Sequence, residues 1–368
     1  MFISPGSLPH LLSPRAYWCS EQYEQERKLL ASAWHLVGTT ADLARPGDFL
    51  TCDLFGAPVQ VRNFDGRLRA LSNVCAHRHS LLTDRARGNS KAMRCQYHGW
   101  EYGPSGITRR IPAPENFVPM PEERPCLPAY QLETAGQLVF VRLSREGPSL
   151  AEQLGPLHPL CAQRFGERWR PFLTWEPDYE ANWKVPVENS LEAYHVPCIH
   201  ARTFKEDPGE GRSAHRLESG HTSFKTRLPF AHSRIDEWFQ RCESWVTRRL
   251  TGESRGEYWQ HHVFPNLLFS FTDAVSLCQC ILPTGPATCR AVVRQFSPEK
   301  PFGSRLETGL AHTWGKLKAA ITRQVLEEDR AIFKSIQRGL SASPHPGLLG
   351  RCEERIHAFQ GYLQNSLS

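Results

Sequence analysis

The chain has 368 residues, of which 40% are hydrophobic and 22% are charged. This length suggests two domains, and the composition is that of a globular protein that can bury a core without disulfide bonds. The net charge is +6, but basic and acidic residues are interleaved along the chain, which argues against a dedicated nucleic-acid-binding surface.

The N-terminal segment has no basic region, and prolines at 5, 9 and 14 interrupt its short apolar stretch, so a secretory signal is not expected. No apolar run in the sequence is long enough to cross a membrane. The twelve cysteines are scattered and do not show the spacing of a small disulfide framework. We therefore expect reduced thiols, a cytoplasmic location and no membrane partner.

Helical spacing without glycine or proline predicts a helix over residues 17–35, which ends a first segment of residues 1–35. Short alternating or β-branched runs follow, separated by Pro-Gly and Asp-Gly turns. These runs predict a small antiparallel β domain over residues 36–148.

Two short motifs with the same residue types lie inside this β domain. Cys75 and His77 form the first motif, and Cys95 and His98 form the second. Two thiolates and two imidazoles on paired loops are the ligand set of a Rieske-type [2Fe–2S] cluster, in which the cysteines hold one iron and the histidines hold the other. The alternative is a structural zinc site with the same ligand types, but the β-rich setting favours the cluster. The motifs therefore predict a one-electron carrier.

A segment rich in proline and glycine indicates a boundary, so residues 149–368 form the second predicted domain. Helical patterns at 181–196, 233–250 and 309–340 flank several strand-like runs. Strands in one block with flanking helices are typical of an α+β domain.

Histidines and carboxylates are concentrated in residues 182–200, beside a proline. On a helix, Glu192 and His195 would share one face because they are three residues apart. Pro197 is expected to end that helix, and the resulting turn can bring His200 beside His195. Both imidazoles could then bind one cation.

The C-terminal helical pattern can supply a carboxylate to this site. Asp329 lies near the centre of an apolar stripe that consists of Val325, Leu326, Ile332, Phe333 and Ile336. A carboxylate in such a stripe needs a partner, either a metal or a buried ion pair. Together with two histidines, it would complete the 2-His-1-carboxylate set that binds ferrous iron and leaves positions open for dioxygen.

Several strings resemble the oxygenase component of the Rieske non-haem iron oxygenases. The two Cys/His motifs lie in NVCAHRHS and RCQYHGWEYGPSG, and the second domain contains NWK, E-x-Y-H-x4-H and EED…QRGL. The resemblance spans nearly the whole chain. It implies an α+β protein with a Rieske [2Fe–2S] antiparallel β domain and a helix-grip catalytic domain, in which helices flank an antiparallel sheet. It also implies a homotrimer with subunits arranged head to tail.

The resemblance assigns residues to both metals of the family. Its cluster ligands match Cys75, His77, Cys95 and His98. Its mononuclear iron ligands match His195, His200 and Asp329. Arg78 matches an arginine that caps the cluster in the family. For His79, a role beside the cluster and a place as a solvated loop residue both stay open.

Glu192 matches an acidic position of the family that is usually Asp. This position hydrogen-bonds a cluster histidine of the neighbouring subunit, and it would link His98 to His195 as a route for electrons. Two other interpretations stay open. Glu192 could be a polar residue on an exposed helix face, or it could be the iron ligand in place of Asp329.

The implied activity is that of an oxygenase that uses dioxygen to hydroxylate or oxidatively demethylate a small organic substrate. No nucleotide-binding motif is visible in the sequence, so a separate NAD(P)H-dependent reductase or ferredoxin must supply the electrons. The short spacing between Asn189 and Glu192 resembles the quaternary-ammonium oxygenases, and aromatic rings are the alternative substrate class. An alternative of another class is a Rieske electron-transfer protein without a functional mononuclear iron.

A cationic ammonium group would need an aromatic cage, for which Trp238, Trp245, Trp259 and Phe271 are candidates, although each could simply pack in the core. Residues 203–258 are charged and show few strand signals. They are expected to form either a variable cover over the iron or a solvated helical insertion. Cys198 either lines the pocket or is a buried spectator thiol.

Overall fold

The structure is a computed structural model that describes residues 2–4, 6–118, 122–201, 203–204, 207–227, 234–299 and 303–367. The chain divides into two compact units. One unit is Ala31–Glu152, and the other combines Met1–Leu30 with Gln153–Ser368. Among the described residues, none of the helices combines the length and the apolar character that crossing a bilayer requires.

The unit Ala31–Glu152 is built from antiparallel strands. They are β1 (His35–Thr39), β2 (Asp48–Leu54), β3 (Ala57–Phe64), β4 (Arg67–Ser72), β5 (Arg87–Asn89), β6 (Met93–Arg94), β7 (Glu101–Tyr102), β8 (Thr108–Arg110), β9 (Ala129–Ala135) and β10 (Leu138–Arg142). Seven form a sheet in the order β1-β10-β9-β4-β3-β2-β5, and β6-β7-β8 form a small second sheet. The β3–β4 hairpin turns at Asp65 and Gly66, whose φ angles of 49° and 89° are those that the Asp-Gly turn favours.

The second unit contains one eight-stranded sheet with the path β11-β18-β17-β16-β15-β14-β13, and β12 pairs with β18. Its strands are β11 (Trp169–Trp175), β12 (Asp178–Tyr179), β13 (Ser213–Glu218), β14 (His221–Arg227), β15 (Glu257–Val263), β16 (Leu267–Phe271), β17 (Ser276–Gly285) and β18 (Thr288–Pro298). All its pairings are antiparallel.

The described part of the chain also contains α-helices. They are α1 (Ser20–Ala31), α2 (Leu150–Leu154), α3 (Leu157–Arg164), α4 (Lys184–Ser190), α5 (Val196–Ile199), α6 (Arg234–Thr251), α7 (Arg305–Ala342) and α8 (Glu354–Leu367). A hydrophobic core joins residues of the sheet to residues of α4, α7 and α8. Helix α7 begins at a capping box in which Ser304 and Glu307 bond each other's backbone.

Buried polar contacts fix α4 in place. Glu26 of α1 accepts hydrogen bonds from Lys184 Nζ and from Trp183 Nε1, both at 2.7 Å, and all three side chains are buried. On the other side, the backbone N–H of Asn182 donates to Gln337 Oε1 of α7 at 2.8 Å. A buried charge pair of this kind is strongly destabilising to break, so these contacts hold the segment that leads into the histidines.

Two expectations about local structure are wrong. The pattern at 181–196 predicted one helix, but α4 ends at Ser190, and residues 191–195 are turns and loop before α5. The predicted scarcity of strands in residues 203–258 also fails, because β13 and β14 lie there. These strands alternate buried and exposed residues, and their many polar side chains hide the strand signal. Residues 202, 205–206 and 228–233 lie outside the described part of the chain.

Candidate metal centres

The Cys/His motifs occupy two loops of the first unit that have the same backbone design. In the first loop, His79 N donates to Cys75 O at 3.0 Å, and in the second, Gly99 N donates to Cys95 O at 3.0 Å. The fifth residue of each loop has a left-handed φ, 59° at His79 and 74° at Gly99. His79 is therefore a turn residue, equivalent to the glycine of the other loop.

The four side chains of these loops are arranged as two pairs. Cys75 and Cys95 are buried, and burial raises the pKa of the Cys95 thiol. The rings of His77 and His98 lie beside each other, with centroids 4.7 Å apart, and His77 stacks on Trp100 at 4.8 Å. His98 is exposed together with its neighbour Tyr97.

The first unit fits a [2Fe–2S] cluster. His77 Nδ1 is buried, and no described residue offers it a hydrogen bond. Buried polar atoms are rarely left without a partner, so this nitrogen fits a metal ligand. The buried thiols fit as well, because a coordinating metal keeps a thiol deprotonated where burial alone would not. Arg78 extends over the Tyr97 ring at 5.9 Å, at the exposed end of the same loop.

Three donor atoms converge in the second unit. One ligand atom each of His195, His200 and Asp329 lies within 4.8 Å of the other two. Asp329 Oδ1 is 3.0 Å from His200 Nε2 and 3.5 Å from His195 Nε2. The histidines lie at the two ends of α5, and the carboxylate comes from α7.

The position of Pro197 differs from the expectation. We expected Pro197 to end a helix, but it lies in the first turn of α5, where its missing N–H leaves no bond unmade. His195 and His200 are thus brought together by one short helix and not by a break after one. The backbone N–H of His200 donates to Val196 O at 2.9 Å and closes that turn.

Each histidine is held by a glutamate on its other ring nitrogen. Nδ1 of His195 contacts Glu192 Oε1, and the His195 backbone N–H donates to Glu192 Oε2 at 3.1 Å. Nδ1 of His200 donates to Glu328 Oε2 at 2.8 Å. These contacts leave both Nε2 atoms directed at Asp329, which is how carboxylates orient metal-binding histidines.

Glu328 was missed in the sequence. Its carboxylate accepts from Thr203 Oγ1 at 2.9 Å as well as from His200, so it is held on two sides. Burial acts to lower the pKa of His200, but the carboxylates of Asp329 and Glu328 outweigh it and leave that pKa raised. The sequence signal that could have found Glu328 is the acidic pair Glu328-Asp329. When one carboxylate of such a pair is a candidate metal ligand, the other can hydrogen-bond a histidine of the same site.

The geometry bears on the alternatives for Glu192. Its side chain is only 9% exposed, which disagrees with a polar residue on an exposed helix face. It contacts the ring nitrogen of His195 that faces away from Asp329, which disagrees with a replacement of Asp329 as ligand.

The second unit fits an iron ion. Asp329 Oδ1 is buried, and within the described ranges it has no partner with hydrogen-bond geometry, although two Nε2 atoms are close. Two imidazole nitrogens and one carboxylate oxygen are a donor set that suits ferrous iron and leaves further positions open.

Comparison with known proteins decides the family. Residues 166–368 match the family described as ring hydroxylating alpha subunit (catalytic domain), and residues 33–131 match the Rieske [2Fe-2S] domain. The chain belongs to the alpha subunits of the Rieske ring-hydroxylating oxygenases. The predicted fold, the enzyme class and the two cofactors, a [2Fe–2S] cluster and mononuclear iron, are thereby confirmed. The zinc site and the electron-transfer protein without iron are the alternatives that this match removes.

Relatives of this alpha subunit act on different kinds of molecule. The 2-aminobenzenesulfonate 2,3-dioxygenase subunit alpha of an Alcaligenes species is 28% identical over 77% of this chain and 74% of its own. The chloroplastic choline monooxygenase of Amaranthus tricolor is 26% identical over 97% of this chain and 78% of its own. Among solved structures, the quaternary ammonium Rieske monooxygenase CntA with L-carnitine has the same fold, with a TM-score of 0.76 at 19% identity over 97% and 95% of the two chains.

The alpha subunit has a cavity of about 290 Å³ at the converging donor atoms. His195, His200 and Asp329 form part of its wall. Three aromatic residues, Phe204, Phe224 and Tyr258, also line it. The remaining wall includes neutral polar side chains of β14 to β17 and two cationic ones, Lys318 and Arg355.

The aromatic candidates from the sequence lie elsewhere. Trp238 and Trp245 of α6 are 66% and 62% exposed, and Phe271 packs against Phe165. None of the four candidates, with Trp259 included, is among the described residues that line the cavity. Cys198 is exposed, so it is neither a cavity residue nor a buried spectator. Whether these side chains reach the cavity depends on the direction of the strands and the rotation of the helices, and the composition of the sequence does not reveal either.

Proposed function

We propose that this terminal oxygenase component hydroxylates or oxidatively demethylates a small organic substrate that binds in the cavity beside His195, His200 and Asp329. The observation that carries the proposal is the convergence of these three side chains on the wall of that cavity. In this proposal they are the iron ligands, and Cys75, His77, Cys95 and His98 are the cluster ligands. The iron and the cluster supply oxygen activation and single electrons when they are bound.

The residues of the chain would hold and orient the reactants. Glu192 and Glu328 keep the Nδ1 side of each histidine occupied, so that Nε2 of both rings remains directed at one point. The cavity wall then positions the substrate carbon and keeps bulk water away. Glu192 would also link a cluster histidine of a neighbouring subunit to His195, which requires a homotrimer of the kind the family resemblance implies.

A substrate with a quaternary ammonium group is our preferred class. The aromatic rings of Phe224 and Tyr258 line the cavity, and such rings attract an ammonium cation. The choline monooxygenase relative, which aligns over nearly the whole chain, supports this choice. An aromatic substrate is the second candidate, and the relative that acts on 2-aminobenzenesulfonate supports it.

We further propose how the chain divides into domains and which protein supplies its electrons. Residues 36–148 would form the cluster domain and residues 149–368 the iron domain, with residues 1–35 as an N-terminal helical segment. Helix α1 of that segment is bonded to α4 through Glu26. Electrons would come from a separate NAD(P)H-dependent reductase or ferredoxin that docks near the exposed His98.

Product identification tests the proposal. The loaded enzyme would be supplied with dioxygen, a surrogate reductase and a panel of methylated ammonium compounds and aromatic acids. Formaldehyde release from an ammonium compound would support demethylation, and a hydroxylated ring would support the aromatic alternative. The same assay with His195→Ala is the matched control and should give no product. Absence of oxygen consumption with every member of the panel would contradict the proposal.

A further inference from the structure

Arg355 is a buried cation in the wall of the cavity. It lies in the first turn of α8, and only 1% of its surface is exposed to solvent. It lines the same cavity as His195 and Asp329. Burial of a charged group is costly unless it is paired, so the contacts of this guanidinium need an explanation.

The contacts of Arg355 use neutral acceptors only. Its Nε donates to Thr222 Oγ1 at 3.1 Å, and its Nη2 donates to Gln260 Oε1. Gln260 is itself fixed, because its Nε2 donates to Ser190 O at 2.7 Å. A guanidinium has five N–H groups, and among the described residues Nη1 has no hydrogen-bond partner. Both N–H groups of Nη1 and one of Nη2 therefore remain without a partner among the described residues.

The neighbouring carboxylate is committed elsewhere. Glu354 precedes Arg355 in the chain, but its oxygens accept from His215 Nδ1 at 2.8 Å and from the backbone of Ile3 at 2.9 Å and Ser4 at 2.6 Å. Burial lowers the pKa of Arg355 to about 9, which still leaves it charged at neutral pH. The charge is therefore present and lacks a carboxylate at hydrogen-bond distance within the described ranges.

The other cation of the wall is already compensated. Lys318 Nζ lies 2.6 Å from Glu243 Oε1, so its charge is paired. The carboxylates that line the cavity, Glu192 and Asp329, are both engaged with the histidines. Of the charged groups in the described wall, Arg355 is the one without a carboxylate at hydrogen-bond distance, and the charge of Glu354 acts on it only from beyond that distance.

We propose that Arg355 binds an anionic group of the substrate, a carboxylate or a sulfonate, through two N–H groups of its guanidinium. This inference rests on the proposed function, because the occupant of the cavity is taken to be the oxygenase substrate, and it narrows that substrate to a class. An arginine fork matches the two oxygens of such a group. A zwitterion would place its ammonium at the rings of Phe224 and Tyr258, and an aromatic acid would place its ring there.

Binding to the unmodified loaded enzyme is the first test. Isothermal titration calorimetry would compare pairs that differ only in the anion, such as a trimethylammonium carboxylate with its amide, and benzoate with benzamide. A charged hydrogen bond of this kind predicts that the acid binds about tenfold to hundredfold more tightly than its neutral analogue. Equal affinities within both pairs would overturn the proposal, and which pair binds distinguishes the two substrate classes.

Variants locate the anion site. Arg355→Gln should remove the preference for the acid, and Arg355→Lys should retain part of it. Gln260→Glu keeps the arginine and sets a carboxylate against its Nη2, so it should remove the preference even if Arg355→Gln does not fold. Gln279→Glu is the matched control, because it adds the same charge to the cavity wall at a residue without a contact to Arg355.

Two results would contradict the assignment to Arg355. The first is an equal loss of preference in Gln279→Glu and Gln260→Glu. The second is a loss in Lys318→Met with no loss in the Arg355 variants. The outcome also separates this inference from the proposed function. Acid binding that depends on Arg355 without oxygen consumption would refute the oxygenase proposal alone, whereas equal oxidation of acids and neutral analogues would refute the role of Arg355 alone.

Discussion

The candidate cluster loops and the candidate iron site differ in how far apart their predicted ligands lie in the sequence. The four candidate cluster ligands fall between residues 75 and 98, on two loops with the same backbone hydrogen bonds. The three candidate iron ligands lie between residues 195 and 329, on α5 and α7. The first site is thus made by local backbone turns, and the second depends on the packing of helices that are distant in sequence.

The two sites also differ in exposure. His98 and Tyr97 of the second candidate cluster loop are exposed, whereas the side chain of His200, at the candidate iron site, is 3% exposed. An exposed histidine suits electron exchange with another protein, and a buried one suits chemistry that excludes water. The comparison predicts that each site can be disabled without disturbing the other.

Loss of the cluster is the largest expected effect. Cys95→Ala removes one of two thiolates, and we expect the visible bands of the cluster to disappear and turnover to cease. The mononuclear iron should remain, because its candidate ligands belong to the other compact unit. Absorption spectra and metal analysis of the purified variant measure both. Loss of all iron from Cys95→Ala, with the second unit still folded, would show that the two metal sites are not independent.

The glutamates that hold the histidines give the next effect. Glu328→Gln should weaken iron binding or lower turnover by about tenfold to hundredfold, because it loosens the His200 ring. Glu192→Gln should slow the transfer of an electron from the cluster to the iron, which single-turnover kinetics would measure. Glu327→Gln is the control, since this neighbour contacts Arg330 and neither histidine. Normal iron content and turnover in Glu328→Gln would show that His200 needs no such support.

Glu188 lies in the same compact unit as the candidate iron ligands, and its titration should make the stability of that unit depend on pH. This residue is partly buried, accepts from Tyr17 Oη at 2.6 Å, and the desolvation of its carboxyl raises its pKa from 4.5 to about 7. Because the folded-state pKa is the higher one, the folded protein binds more protons between these values. Stability from this group is therefore present below pH 4.5 and falls by about 3 kcal/mol as the pH rises through 7.

Denaturant unfolding of wild type and Glu188→Gln at several pH values measures this dependence. The titration of the buried histidines is common to both proteins, so the difference between the two curves isolates Glu188. We expect the variant to gain stability relative to wild type as the pH rises from 5 to 8. A difference that does not change with pH would show that Glu188 is charged in the folded state throughout.

The smallest expected effect concerns the start of α7. Ser304→Ala removes the capping side chain of the helix that carries Asp329, and it should destabilise the iron unit by about 1 kcal/mol. The cluster bands should not change. Ser335→Ala, an exposed serine in the interior of the same helix, is the control and should not be destabilising. Equal unfolding temperatures of Ser304→Ala and wild type would indicate that packing alone holds this end.

The cluster motif was readable from the sequence because its residues are local. Spacing alone indicated Cys75, His77, Cys95 and His98, and the Rieske domain match covers them. The turn role of His79 was not readable, because a left-handed φ at a non-glycine residue has only a weak sequence signal.

The candidate iron site was predictable only in part. Asp329 became a candidate because of the apolar stripe of α7, although Ile336 of that stripe is 36% exposed. Glu328, Arg355 and the aromatic residues of the cavity were not found, because their proximity is set by the pairing of β14 with β15 and by the packing of α7 and α8. Such contacts link residues that are distant in the sequence, 128 positions apart for His200 and Glu328 and 95 for Gln260 and Arg355, and no local pattern records them.

Metal analysis of Asp329→Ala tests the separation of the two sites most directly. Wild type should contain about three irons per chain, two in the cluster and one bound by the 2-His-1-carboxylate set. We expect the variant to contain about two irons, with cluster bands of unchanged intensity and no turnover. A variant that kept the third iron, or that lost the cluster bands, would contradict the assignment of Asp329 and the independence of the two centres.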